Sequence, residues 1–322
     1  MKTKVTLLAA LIALFAFFTG CEEEEGENLG QPGTVALSLT DAPIDDTSIT
    51  GVYITITGIK YHKKNNEWKT FDGFEGPQTH NLLELQDSIS VLLGNFEMEA
   101  GQYTQLRFML DAAERGQDQG QGQGQGQGGP PTTPGCYIEY EDGSTVDLFV
   151  PSGGKSGYKA TGAFRVPSNG TVELTADFDV RKSVVKAGNS GRYILKPTIR
   201  LITNNEAGAI AGGVTNMPAD SSDVTIYAYE DDQYSDEEAA EPADEENRFP
   251  NAVTSDMVCD TNHYRLSYLA PMTYDLVVVN HKNGEFVEVL GIVQDVAVES
   301  RKTTNQPRSE EHTSELQSLL II

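Results

Sequence analysis

The sequence predicts an all-β chain built as two antiparallel β-sandwich domains in tandem. Short runs in which apolar and polar residues alternate recur from Thr34 onward, the period of a half-buried strand. Clusters of Gly, Asn, Pro and Ser separate those runs and supply the turns. No stretch from Thr34 to Ile202 keeps a helical period for three turns. Many short strands punctuated in this way indicate a sandwich or barrel.

Val35, Leu37 and Leu39 alternate with Ala36 and Ser38, giving a strand that stops at Thr40-Asp41-Ala42-Pro43. Val52, Ile54 and Ile56 alternate with Tyr53, Thr55 and Thr57 in a second strand that runs to Tyr61. Lys63-Lys64-Asn65-Asn66 then turns the chain into Trp68 to Phe71 as a β-hairpin. Asn81 to Leu85 and Ile89 to Phe96 are apolar without a clean period, and are expected to form a short strand and a helical turn. Tyr103 to Leu110 returns to strand. Residues 115–135 hold a Gly-Gln repeat followed by Pro130-Pro131-Thr132-Thr133-Pro134. That composition buries too little apolar area to offset its conformational entropy, so it is expected to be a disordered loop within the domain. Tyr137 to Tyr140 and Thr145 to Val150 form a hairpin about Glu141-Asp142-Gly143-Ser144, and Lys159 to Val166, Thr171 to Val180 and Tyr193 to Ile202 continue the pattern.

Asn204-Asn205 marks the boundary between a first domain, 34–203, and a second, 206–302. Strands are expected over Gly208 to Asn216, Val224 to Tyr229, Thr254 to Val258, Tyr264 to Leu269, Tyr274 to Val279, Phe286 to Val293 and Val296 to Val298. Tyr274-Asp275-Leu276-Val277-Val278-Val279 is the strongest of these.

Val35 to Pro43, Gly51 to Gly58, Gly101 to Arg107, Val150 to Gly153 with Ser156-Gly157, Asp177 to Ser183 and Tyr193 to Arg200 together resemble, in order, the motifs of the domain-of-unknown-function family 4382. The resemblance covers Thr34 to Thr203, and the Gly-Gln insertion departs from it. It implies a bacterial surface or periplasmic lipoprotein without an assigned activity. Gly208 to Val214, Val224 to Tyr229, Tyr264 to Leu269 and Pro271 to Val279 are similar to the carboxypeptidase regulatory-like, transthyretin-like sandwiches, which serve as structural appendages. Met272-Thr273 stands where that family has a glycine turn.

The two ends need separate readings. Lys2 and Lys4 precede an apolar stretch from Val5 to Phe18, and Gly20 stands directly before Cys21. This resembles a lipobox: residues 1–20 would be a lipoprotein signal peptide, and Cys21 the lipid-bearing first residue of the mature chain. Residues 21–33 are then an acidic flexible tether. Its Glu22-Glu23-Glu24-Glu25 run resembles the tag that sends lipoproteins of Bacteroidota-type cells to the outer face of the outer membrane. At the other end, Arg308 to Ser318 resembles the translation of a common sequencing adapter, so residues 308–322 are read as adapter read-through and left out of the fold.

A net charge of -25 argues against nucleic-acid binding, because such a surface repels phosphate. Cys136 and Cys259 fall in different domains, so no disulfide framework is expected; two unpaired or buried thiols are favoured over an interdomain bridge. The acidic loop 230–247 lacks the alternating carboxylates and glycine of a calcium loop and reads as solvated, with loose Ca²⁺ binding as the other reading. Asp41, Asp45 and Asp46 cluster at a strand end, and Asp177 and Asp179 lie on one face of another strand. Such carboxylates can act as acid and base. The favoured reading pairs them with Arg181, Lys182 and Arg200. His62, His80, His263 and His281 are scattered without ligand spacing, so no metal and no cofactor is expected. Trp68, Tyr53 and Tyr61 read as packing rather than a sugar platform, and Asp87-Ser88-Ile89 is a weak O-glycosylation motif.

The expectation is therefore a non-enzymatic, lipid-anchored protein of the cell envelope with a binding, adhesion or structural role. It would meet the membrane through its lipid anchor and an envelope or extracellular glycan or protein through its loops. The alternative is a surface glycan-capture lipoprotein of a polysaccharide uptake system.

Overall fold

The computed structural model describes residues 31–42, 48–63, 68–86, 88–111, 135–151, 153–187, 192–215, 223–243, 246–258, 262–282, 284–306 and 320–321. The signal-like segment, Cys21, most of the tether, Asp45, Asp46, Asp87, Cys259, most of the Gly-Gln loop and most of the C-terminal tail lie outside the described residues. No helix among the described residues is long and apolar enough to cross a membrane.

The fold is all-β. The first part of the chain forms a 13-stranded sheet, from β1 (Gly33–Thr40), β2 (Ile49–Lys63), β3 (Trp68–Thr70), β4 (Gln78–Asn81), β5 (Val91–Met98), β6 (Gly101–Leu110), β7 (Tyr137–Tyr140), β8 (Thr145–Phe149), β9 (Tyr158–Val166), β10 (Thr171–Phe178), β11 (Val184–Lys186), β12 (Tyr193–Leu195) and β13 (Ile199–Thr203). The order is β11-β12-β8-β7-β2-β6-β9-β13-β10-β1-β5, with β3 and β4 also paired to β2. One apolar cluster draws on β1, β2, β5, β6, β9, β10 and β13, so the sheet curls around a single core. β2 makes this curl feasible. Its register shifts between Ile56 and Gly58, so its first half pairs with β4 and β7 and its second with β3 and β6.

Alternation fixes which side chains enter that core. Val35, Leu37 and Leu39 of β1 are fully buried while Ala36 and Ser38 are half-buried. Most pairings are antiparallel, but β1 runs parallel to β10 through Thr34↔Thr171 to Thr40↔Asp177, and β9–β13 and β8–β12 are also parallel. The stretch expected to be a helical turn, Ile89 to Phe96, is instead the edge strand β5. Gly94, at φ 157, pairs with Leu37 while Leu92 pairs with Ser38, so Leu93 is an extra residue in β5, and that bulge hides the strand period. Tyr193 to Ile202 is two strands, because Lys196-Pro197-Thr198 interrupts the ladder.

The second part forms two four-stranded sheets. One has the order β17-β14-β20, from β14 (Gly208–Thr215), β17 (His263–Leu269) and β20 (Thr303–Asn305), with β21 (Leu320–Ile321) also on β14. The other is β16-β15-β18-β19, from β15 (Asp223–Glu230), β16 (Thr254–Met257), β18 (Thr273–Lys282) and β19 (Glu285–Ala297). β19 joins two expected strands through several bulges. The Leu276–Val279 run is apolar at every position because both of its faces are covered. Leu276 and Val278 face β14 and β17, whereas Val277 and Val279 pack with Tyr227, Tyr229 and Phe249 under the segment that follows β15.

Candidate functional site

The residues that the sequence nominates for chemistry converge at the seam between the two parts. β10 ends at Phe178, and Asp179 caps the helical turn Val180–Ser183 by accepting a hydrogen bond from the Lys182 N–H at 3.1 Å. The parallel pairing of β1 with β10 brings Asp41 to the same place, where its Oδ1 accepts from the Val180 N–H at 3.0 Å. Asp177 is bridged by Arg200 at 2.5 Å, and Asp179 by Arg181 at 3.4 Å and Lys182 at 3.6 Å. Asp41, Asp177, Asp179 and Arg181 are all buried.

Arg181 carries this cluster across the seam. Its guanidinium donates to the Phe249 carbonyl at 2.8 Å and the Arg248 carbonyl at 3.3 Å, and lies 5.1 Å from the Tyr227 ring centroid. Asn247 returns the contact, donating to the carbonyls of Arg181 and Val184 at 2.7 and 3.2 Å. A second patch joins Ser88 to Ser267 at 2.6 Å and to Arg265 at 3.0 Å. The Ser88 hydroxyl of the glycosylation motif is thus engaged in the seam. Between the two patches lies a cavity of about 20 Å³, lined by Thr40, Asp41, Ser88 and Asp177 on one side and by Thr254, Ser255, Asp256, Arg265, Ser267 and Tyr268 on the other.

Burial raises the Asp41 carboxyl well above its ordinary 3.8, helped by the nearby Asp177 and Asp179 and opposed by the Val180 N–H. Burial also raises Asp177, against the pull of Arg200. With folded-state values above unfolded ones, the native state binds more protons between the two. These groups therefore add stability below about pH 4 and lose it as pH rises through their folded values. In metal-free buffer, Asp41→Asn is expected to raise the neutral-pH melting temperature and flatten its fall with pH. Differential scanning calorimetry across pH checks this, with Asp177, Asp179, Asp256, Arg181, Lys182, Arg200 and Arg265 left in place around the site.

The acidic loop is more structured than its composition suggests. The Glu238 carboxylate accepts from Tyr229 O–H at 2.9 Å, Asn251 N–H at 3.1 Å and Asn251 Nδ2 at 3.0 Å, pinning the segment onto β15. Asp231 and Asp232 of this loop meet Asp275 of β18, each offering an oxygen within 4.8 Å of the others. These three could hold a hard cation. The Asp275 oxygens already accept from the Asp232 and Asp295 N–H groups.

The remaining candidates are dispersed. His62 packs on Trp68, His80 faces Gln78, and His281 is buried beside Thr225. Trp68 lies under Arg107, Tyr61 packs on Phe71 and Tyr103, and Tyr53 stacks on Tyr137 at 4.5 Å, so the three rings form no common platform. Cys136 is buried, and burial pushes its thiol up to about 11. Ser255, Asp256 and Arg265 carried no signal in the sequence, since only the docking of the two parts brings them to Asp41.

No curated protein matches the chain. Among solved structures, it is similar to the Bacillus anthracis TIE protein at 9% identity, covering 85% of this chain and 33% of that one, with a TM-score of 0.19. It is also similar to GBS52, the minor pilin of Streptococcus agalactiae, at 12% identity over 88% of this chain and 100% of that one, with a TM-score of 0.17. A fimbrial protein from Bacteroides ovatus matches at 12% identity over 87% of this chain and 49% of that one, with a TM-score of 0.20. The chain thus spans about a third of the TIE protein and about half of the fimbrial protein. Residues 32–197 match the family described as Domain of unknown function (DUF4382), which is just over half of the chain and includes Asp41, Asp177, Asp179 and Arg181. The chain belongs to the DUF4382 family.

Proposed function

We propose that this is a non-catalytic, lipid-anchored protein of the outer membrane, displayed at the cell surface, that binds or presents rather than transforms. The observation that carries the reading is the N-terminal pattern of Lys2, Lys4, the apolar Val5 to Phe18 stretch, Gly20-Cys21 and four glutamates. It has support from the seam, where Asp177 and Asp179 are bonded to Arg200, Arg181 and Lys182 rather than presented in a cleft. The two sandwich domains, 34–203 and 206–302, then act as a spacer whose end loops meet an envelope or extracellular partner.

Protease shaving of intact cells tests this, comparing wild type with Cys21→Ala and with Glu22 to Glu25 replaced by alanine. Wild-type protein is expected to be cleaved and the glutamate variant protected. Protection of every lipidated form in intact cells, with cleavage after lysis, would place the protein on the periplasmic face.

One observation favours glycan capture as the second reading: the half-buried Tyr53 and Tyr137 rings stack at an interplanar angle of 9°. The outer face of such a stacked pair suits a sugar ring. Binding on a glycan array that is lost in Tyr53→Ala would support it.

A further inference from the structure

Asp41 and Ser255 line the same cavity from opposite parts of the chain. Each has a side-chain oxygen, Asp41 Oδ2 and Ser255 Oγ, that is buried and has no hydrogen-bond partner. Both residues are more than nine-tenths buried, at 7% and 4% exposure. Buried polar atoms are rarely left this way, and two facing one cavity call for an occupant. At about 20 Å³ the cavity takes a single water-sized species.

Charge decides what kind. Asp177 is paired with Arg200, and Asp179 with Arg181 and Lys182, but no cationic side chain among the described residues pairs with Asp41. Three carboxylates, Asp41, Asp177 and Asp256, stand on the wall, against one guanidinium. That guanidinium, on Arg265, donates to Ser88 Oγ and Thr303 Oγ1. A water, or a proton on the carboxyl, would meet the hydrogen-bonding need of Asp41 Oδ2, whereas a cation would also compensate the ionised carboxylate in its buried place. The remaining wall is hydroxyl and carboxylate oxygen, the donor set of a hard cation. Ser88 and Arg265 are exposed, so the outer rim offers a route in from solvent.

We propose that the cavity is a divalent-cation site of the calcium type, with Asp41 from the first sandwich and Ser255 from the second as ligands, so that the ion ties the two together. The site is separate from the Asp231, Asp232 and Asp275 group, which lies wholly within the second part.

The test is calcium titration of the full-length chain, stripped with chelator and held at constant ionic strength, followed by calorimetry and thermal melting. The melting temperature of wild type is expected to climb with Ca²⁺ by mass action. The doubly substituted Asp231→Asn, Asp232→Asn protein should keep that climb, and Asp41→Asn should lose it. Ser255→Ala should bind about tenfold more weakly. Asp41→Asn keeps the acceptor for the Val180 N–H and melts in chelator at or above wild type, so its loss of response reads as loss of the site and not of the fold. No shift in wild type at millimolar Ca²⁺ would overturn the proposal and leave the cavity to a water. A shift that survives in Asp41→Asn but vanishes in the Asp231, Asp232 variant would overturn it too.

Discussion

Arg181→Ala is expected to cost about 3 kcal/mol and to split one unfolding transition into two. The guanidinium is buried between a carboxylate of its own turn and two backbone carbonyls of the second part. Truncation takes from the Phe249 carbonyl the shorter of its two donors, leaving the Ala252 N–H at 3.3 Å, and takes one of two cations from Asp179. It also empties the space beside the Tyr227 ring. The single tryptophan, Trp68, sits on β3 and reports on the first part alone, whereas far-UV circular dichroism reports on both. In urea, the two signals should coincide for wild type and separate for Arg181→Ala. Arg181→Lys should recover little, since an ammonium cannot span the carboxylate and both carbonyls with one rigid fork. Coincident transitions in Arg181→Ala would mean that the Ser88, Ser267 and Arg265 patch suffices to couple the parts.

Gly162→Ala should be of similar size for a different reason. β9 carries an extra residue opposite β6 here, with Tyr103↔Phe164 followed by Gln105↔Thr161, and Gly162 takes φ +147 within that bulge. A methyl group added there would fall against the Leu201 carbonyl oxygen, well inside the 3.0 Å below which real Cβ atoms essentially never come. Backbone strain and overpacking together put the cost on the order of 3 kcal/mol. Gly143 is the control. It has φ +76 in the β7–β8 turn with nothing within 4 Å, so Gly143→Ala should cost only the conformational part, about 1 kcal/mol. Urea midpoints of the two variants separate clash from strain. Equal losses would show that β13 can move aside from β9.

Much of the strand pattern was legible because alternation maps directly onto burial. Val35, Leu37 and Leu39 announced β1, and the unbroken Leu276–Val279 run announced β18, though not that both of its faces are covered. Bulges defeated the reading at β5 and β19, since an extra residue reverses the period within a single strand. Partner choice was not legible at all. A sequence period states that β1 is a strand, but not that it lies parallel to β10, and it is this pairing that carries Asp41 to Val180. The pairing of Asp177 and Asp179 with nearby Arg and Lys residues could be read from local spacing. The cavity could not, because Ser255 lies more than two hundred residues from Asp41.

The placement of β1 also bears on how the molecule answers a pull. β1 is the first described strand, and it is interior, with β10 on one side and β5 on the other. A chain held at its N-terminal end and dragged by flow or by a bound partner would transmit tension along the axis of β1. The strand could not peel away one bond at a time, as an edge strand would. It would have to slide past both neighbours at once, shearing the Thr34–Thr40 ladder with β10 together with the ladder to β5. Such an arrangement resists traction applied at the N-terminal end of the sheet.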